Sequence, residues 1–286
     1  CIIGVRDPRG VRPLVLGKLG DSYVLTSETC ALDILGADFV RDVEPGEVVV
    51  VSDKGLESYK PFAAKAAKPC IFEFLYFARP DSMWLDRDVY EVRKLVGHEL
   101  HREAAVEADV VVPVPDSGVP AALGYAEASG IPFELGIIRN HYVGRTFIEP
   151  TQQIRNLGVR LKHNANKARL NGKRVILVDD SIVRGTTMVK IVEMVRQAGA
   201  KEVHLRIAAP PTANPCFYGI NTPSREQLLA HKMPVKDMVN FVGADSLEFI
   251  SVDGLYRAVG EAKRNMDCPQ FCDACFTGDY PTKLED

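Results

Sequence analysis

Residues 174–187 read RVILVDDSIVRGTT, and this stretch decides the fold. The run 174–178 is mostly apolar and too short for a typical core helix. Lys173 and Asp179 bound it, so a buried parallel strand fits best. The strand delivers two adjacent acids, Asp179 and Asp180, and a turn of small residues, 181–187, follows. Met188, Ile191, Val192 and Val195 then recur at helical spacing, and Gly199 ends the run. Strand, acidic pair, Gly-Thr-Thr turn and helix is the order in which an α/β protein holds a sugar phosphate. Turn amides and the helix N-terminus face the phosphate, and the hydroxyls of Thr186 and Thr187 add donors. The two acids accept hydrogen bonds from ribose hydroxyls or face a hard cation. The plain alternative is an ordinary strand–turn–helix with a polar turn. Gly185, Thr186 and Thr187 argue against it, because they stand where phosphate-binding chemistry needs them.

A second unit of the same kind lies upstream. Residues 109–114 form a Val-rich strand that ends in Pro115-Asp116-Ser117-Gly118, and a helix over 120–129 is closed by Gly130. The glycine and its small neighbours let backbone amides approach an anion closely. Alone this is a weak signal. It lies about 60 residues before the first stretch, a distance that two βα units need, and there it gains weight.

Composition sets the frame. The 286 residues suffice for one large or two smaller domains. The formal net charge is −3, which implies no global attraction to nucleic acid or an anionic membrane, so any anion site is local. No apolar run reaches the roughly 20 residues of a membrane helix. No signal-peptide pattern opens the chain, and a cytoplasmic setting is expected. Seven cysteines is an odd number, and Cys268, Cys272 and Cys275 cluster. In a reducing compartment this favours metal or cluster ligation over disulfides. By spacing alone, Cys272-x-x-Cys275 suits zinc, an iron–sulfur cluster or a redox pair. No βα turn precedes it, which weakens the redox pair.

Around these units, 1–60 carries strand signals at 2–5, 14–16, 23–26 and 47–52, with a short helix near 30–35. Residues 53–69 are polar and bear Pro, Ala and Lys, as a hinge between domains does. A hydrophobic strand is expected at 71–77, a helix over 88–107, a strand at 203–209 and helices at 224–231 and 235–242. Residues 244–259 hold a short strand and a helix. Cys216 is expected to be exposed in a Pro-rich turn, and Cys30 to be a small buried hydrophobe. His98 and His101, on the flank of a helix, are assigned no role.

The stretch 178–187, VDDSIVRGTT, resembles the phosphoribosyl pyrophosphate (PRPP) signature of type I phosphoribosyltransferases, and in particular that of the glutamine PRPP amidotransferase family. Residues 3–17 and 27–33 resemble the later part of that family's glutaminase domain, an N-terminal-nucleophile hydrolase. Residues 70–82 resemble the entry to its transferase domain. The resemblance implies an α/β type I phosphoribosyltransferase domain over 66–286, with a C-terminal cysteine tail. Before it stands the β-rich end of a glutaminase domain over 1–65. It also sets aside Cys1 as a nucleophile. Although a terminal cysteine with a free amine suits that role, Cys1 runs straight into Arg6-Asp7-Pro8, where the family has an ordinary strand. Cys1 is therefore expected to be an ordinarily buried strand residue exposed by truncation, with the glutamine-hydrolysing nucleophile absent.

The resemblance further implies displacement of pyrophosphate from C1 of PRPP by ammonia drawn from glutamine, giving 5-phosphoribosylamine in the first committed step of purine nucleotide synthesis. Asp179, Asp180, Ser181, Arg184, Gly185, Thr186 and Thr187 would bind PRPP, together with Asp116, Ser117 and Gly118 at the pyrophosphate. Residues 139–149 resemble the loop that closes over PRPP, with Arg145 supplying charge beside Arg139, and Arg160 and Lys162 are expected to face phosphates. Mg²⁺ would sit by Ser117, Asp179 and Asp180. A [4Fe–4S] cluster would take Cys70, Cys216, Cys272 and Cys275, with Cys268 surplus. Purine nucleotides as feedback inhibitors and a homo-oligomer belong to the same expectation. Three alternatives stand beside it. A salvage phosphoribosyltransferase leaves the segment 6–13 and the four cysteines unexplained. A PRPP-sensing regulator needs a DNA-binding module, and no recognition helix is seen. A cluster-binding redox protein leaves the phosphate loops unexplained.

Overall fold

Asp179 closes a strand whose last five residues are buried, and a strand without a polar face must have neighbours on both edges and layers on both sides. A computed structural model, which describes residues 1–140 and 163–284, supplies the edges as a parallel sheet. Contacts divide the chain into two compact units. One comprises Cys1–Val92, Asn214–Thr222 and Lys263–Asp286, and the other Arg93–Ala213 and Pro223–Ala262.

The first unit holds two three-stranded antiparallel sheets. Strands β1 (Ile2–Val5), β5 (Val48–Ser52) and β6 (Gly55–Tyr59) form one, in the order β1-β5-β6. Strands β2 (Val15–Leu19), β3 (Ser22–Thr26) and β4 (Asp38–Asp42) form the other, in the order β3-β2-β4, with helix α1 (Thr29–Leu35) beside it. Leu16, Val43 and Val49 share one small core, and Val15, Leu32 and Ala37 another. Two expectations are corrected here. Residues 55–59, read as part of a hinge, pair with β5 from Val48↔Tyr59 to Ser52↔Gly55. Residues 71–77, read as a strand, contain one turn of π-helix, Glu73–Phe77, closed by the Ala78 amide on the Glu73 carbonyl at 3.2 Å. A short run that is apolar on every side fits either state, and here Ile71, Phe74 and Leu75 are all buried.

In the second unit, strands β7 (Val110–Pro113), β8 (Arg174–Asp179), β9 (Glu202–Ile207) and β10 (Ser246–Phe249) lie parallel in the order β10-β9-β8-β7. The register runs through Val175, which faces Val110 on one side and Val203 on the other. Helix α2 (Val89–Glu103) lies mostly in this unit. Helices α3 (Val119–Ser129), α4 (Thr186–Gln197), α5 (Val235–Val242) and α6 (Val252–Ala258) follow β7, β8, β9 and β10 in the chain. The stripe expected on α4 is the one buried: Met188, Ile191, Val192 and Val195 join Val112, Leu177 and Leu205 in the main core. Helices α2 and α3 approach at backbone contact, since a Cβ on Gly97 would collide with the Ala121 carbonyl and one on Gly124 with the Lys94 carbonyl. The helix expected at 224–231 is broken into a 3₁₀ turn, Arg225–Gln227, and a helical turn, Leu229–Lys232. Leu228 is extended between them and fully buried. No helix among the described residues is long and apolar enough to cross a membrane.

Candidate active site and cysteine cluster

β7 and β8 are adjacent and parallel, so the two turns leaving their carboxyl ends lie side by side, where open α/β sheets bind ligands. The Val114 amide donates to the Val178 carbonyl at 2.8 Å. Gly118, the residue before α3, is pressed onto the same carbonyl so closely that a Cβ would collide with it. The peptide bond Pro115–Asp116 is cis. Asp116 is exposed and forms an ion pair with Arg139, and Ser117 is half-buried. Buried His163 brings Nε2 to 3.4 Å from the Pro115 carbonyl.

In the second turn, Asp179 and Asp180 are 9% and 8% exposed. The Asp180 amide donates to Asp179 Oδ1 at 2.9 Å, and Ser181 Oγ donates to Asp180 Oδ2 at 2.5 Å. Neither carboxylate has an ion-pair partner among the described residues. Burial, and then the neighbouring charge of Asp180, push the Asp179 carboxyl well above the usual carboxylate range. Two buried acids without a compensating cation fit a ligand that brings hydroxyls or a metal ion. Ile182 is buried and anchors the turn. Gly185 has φ +77°, a left-handed conformation that suits glycine, and precedes α4 with no side-chain cap on the helix. The first-turn amides therefore face outward beside the exposed Thr186 and Thr187. Arg184 is exposed, and its Nε and Nη2 donate to Gln227 Oε1 at 3.2 and 2.9 Å.

The structure thus gathers Asp179, Asp180, Ser181, Gly185, Thr186 and Thr187 in one turn and Asp116, Ser117 and Gly118 in its neighbour. Arg145, Arg160, Lys162 and the loop from 141 onward lie outside the described residues. Sequence reasoning missed the Asp116–Arg139 pair and the contact of Gln227 with Arg184. Nothing local in the sequence marks either.

A separate group lies wholly in the first unit. Cys70 and Cys272 face each other in an isolated parallel bridge, with the Ile71 amide on the Cys272 carbonyl at 3.1 Å and the Cys272 amide on the Pro69 carbonyl at 2.8 Å. Burial pushes the Cys70 thiol up to about 12 and the Cys272 thiol up to about 11. Cys275 is raised first by burial and then by the charges of Cys70, Cys272 and Cys216. Cys216 is half-buried rather than exposed as expected, and accepts the Tyr218 amide at 3.4 Å. Phe72 and Phe276 pack at 5.7 Å, and Phe217 and Tyr280 at 5.3 Å. Among the described residues, no three His, Cys, Asp or Glu side chains are placed to hold a single metal ion. Cys268 is exposed and hydrogen-bonded by buried Lys68 at 3.6 Å, and Cys30 is buried as expected. Cys1 is exposed and immediately precedes β1.

A model of the phosphoribosyl transferase domain matches residues 90–215. An amidophosphoribosyltransferase of Rhizobium etli is 60% identical over 291 residues, covering 100% of this chain and 59% of the relative. One of Bacillus subtilis is 51% identical over 278 residues, covering 97% of this chain and 58% of the relative. A solved structure described as the allosteric regulatory enzyme of purine biosynthesis matches with TM-score 0.90 at 51% identity, over 99% of this chain and 61% of that one. The glutamine PRPP amidotransferase from B. subtilis complexed with ADP and GMP matches with TM-score 0.91 at 50% identity, over 99% and 62%. The chain thus spans under two thirds of the length of these relatives.

Proposed function

Since this chain is similar over almost its whole length to amidophosphoribosyltransferases, we propose that it belongs to that family and carries the phosphoribosyl-transfer half of its chemistry. Ammonia drawn from glutamine displaces pyrophosphate from C1 of PRPP with inversion, forming 5-phosphoribosylamine for purine nucleotide synthesis. The observation that carries this reading is the pair of adjacent turns, one with two buried acids and a left-handed Gly185 at the start of α4, the other with Gly118.

In this reading the amides of Gly185, Thr186 and Thr187, with the two threonine hydroxyls, bind the 5-phosphate. Ser181 and Arg184 complete that turn. Asp179 and Asp180 accept the ribose hydroxyls, which fixes C1 for attack. Asp116, Ser117 and Gly118 bind pyrophosphate, and Arg139 and Arg145 add positive charge. Because pyrophosphate is a good leaving group, the protein's share is positioning and charge stabilisation rather than a side-chain nucleophile. Mg²⁺ fits the uncompensated acids and would be held by Asp179, Asp180 and Ser117 with the substrate's own oxygens. When bound, it neutralises charge on the departing pyrophosphate.

Residues 1–65 belong, in this reading, to the end of a glutaminase domain, and 66–286 to the transferase domain with its cysteine tail. Cys70, Cys216, Cys272 and Cys275 would hold a [4Fe–4S] cluster. What supports this reading is that Cys70 and Cys272 face each other in a bridge, and that Cys70, Cys272 and Cys216 all raise the Cys275 thiol. The cluster's part would be structural. A cytoplasmic homo-oligomer inhibited by purine nucleotides completes the proposal. The test is equilibrium binding of PRPP with and without Mg²⁺. Saturable, Mg²⁺-dependent binding that Asp180→Asn weakens at least tenfold supports the reading, and equal binding by the Asn variant contradicts it.

A further inference from the structure

The turn that we assign to the 5-phosphate is braced from outside. The Leu229 amide donates to the Val183 carbonyl at 2.8 Å. The Leu229 side chain, 1% exposed, lies beneath Gly185, where an added Cβ would meet its Cδ2 at 2.7 Å and Phe241 Cε1 at 2.9 Å. Gln227 Oε1 gathers Nε and Nη2 of Arg184. Residues 225–232 therefore grip the turn by its main chain, by packing and by a guanidinium.

We infer that this segment is a strap that positions the phosphate turn, with Gln227 as a positioning residue that orients Arg184 toward the bound anion. The inference rests on the functional reading above. A turn of small residues around a left-handed glycine has high conformational freedom when unbraced. That freedom would be lost on ligand binding, at a cost in affinity. Bonds made before the ligand arrives remove that cost. The chemistry of the partner matters as well. Gln227 is neutral, so it fixes the guanidinium without cancelling its charge. Arg139, at the end of the strand Ile137–Arg139, differs, because its partner is the Asp116 carboxylate of the neighbouring turn. Arg184 Nη1 has no hydrogen-bond partner among the described residues, and the side chain is exposed. Arg184 thus keeps both its net charge and an open donor.

The test uses Gln227→Leu and Gln227→Glu in the full chain, with amide hydrogen exchange over 181–187 and steady-state pyrophosphate release from Mg²⁺·PRPP with ammonium as nitrogen donor. In Gln227→Leu we expect faster exchange in that peptide alone. The KM for PRPP should rise about tenfold, with kcat within about twofold. Gln227→Glu keeps the acceptor, so exchange should stay slow while the KM still rises, because the added charge offsets Arg184. A merely structural role would lower the melting temperature without splitting KM from kcat. Exchange and KM unchanged in an otherwise active Gln227→Leu protein would overturn the inference alone. An unsubstituted protein that neither binds nor turns over PRPP would overturn the functional reading and the inference with it.

Discussion

At Asp179 the fold keeps what folds ordinarily avoid, a buried carboxylate beside another carboxylate. Such an arrangement lowers stability unless a ligand compensates it. We therefore expect Asp179→Asn, in the absence of Mg²⁺ and PRPP, to raise the melting temperature by about 2 °C or more. The same change should weaken Mg²⁺·PRPP binding at least tenfold. Calorimetric melting and titration read the two effects, and a variant less stable than its parent would contradict the first. The two glycines behave differently from each other. A Cβ on Gly118 meets the Val178 carbonyl, which cannot move without disturbing β8, so Gly118→Ala should cost about 1–3 kcal/mol in urea unfolding. A Cβ on Gly185 meets the ends of the Leu229 and Phe241 side chains, which can shift. Gly185→Ala should therefore cost less stability, about 1 kcal/mol for the left-handed backbone, and show its main effect in PRPP affinity.

Among the elements, the cysteine segments make the sharpest separation. Cys70, Cys272 and Cys216 all raise the Cys275 thiol, whereas Cys268 is exposed and bonded by Lys68. After anaerobic iron and sulfide reconstitution, Cys216→Ala and Cys275→Ala should lose bound iron and Cys268→Ala should retain it. Iron retained by all three would contradict the ligand set. In the antiparallel part, Glu47 joins the two sheets' edges. It accepts both Arg41 Nη atoms at 2.8 and 2.6 Å, the Glu44 amide at 2.6 Å and Ser58 Oγ at 2.5 Å. Arg41 above all draws the Glu47 carboxyl down to about 2. A depressed native pKa means that this stabilisation is fully present above the unfolded glutamate range and is lost as pH falls through about 2. The melting-temperature gap between parent and Glu47→Gln should be widest near neutrality and should close in acid. Much of this level was legible in the sequence. The βα units at 110–129 and 174–197 follow from apolar period and glycine stops, because both signals are local. The strand predicted at 71–77 failed because a run apolar at nearly every position has no period to read. The Gln227 brace was illegible for another reason. It joins residues far apart in sequence, and a glutamine finds partners almost anywhere.

At the scale of the whole molecule, the turns that we assign to the sugar phosphate lie in the unit built on the parallel sheet, and the clustered cysteines lie in the other. The resemblance to amidophosphoribosyltransferases runs across both, since the R. etli relative covers 100% of this chain. The transfer step needs only the turns, an amine and Mg²⁺·PRPP, so free ammonia should serve without glutamine hydrolysis. The most direct measurement is pyrophosphate release from Mg²⁺·PRPP by anaerobically purified protein, with ammonium chloride as the nitrogen donor. We expect release that depends on both ammonium and PRPP and is lost in Asp180→Asn. Release absent with ammonium from folded protein, or equal in Asp180→Asn, would contradict the assignment of these turns to phosphoribosyl transfer.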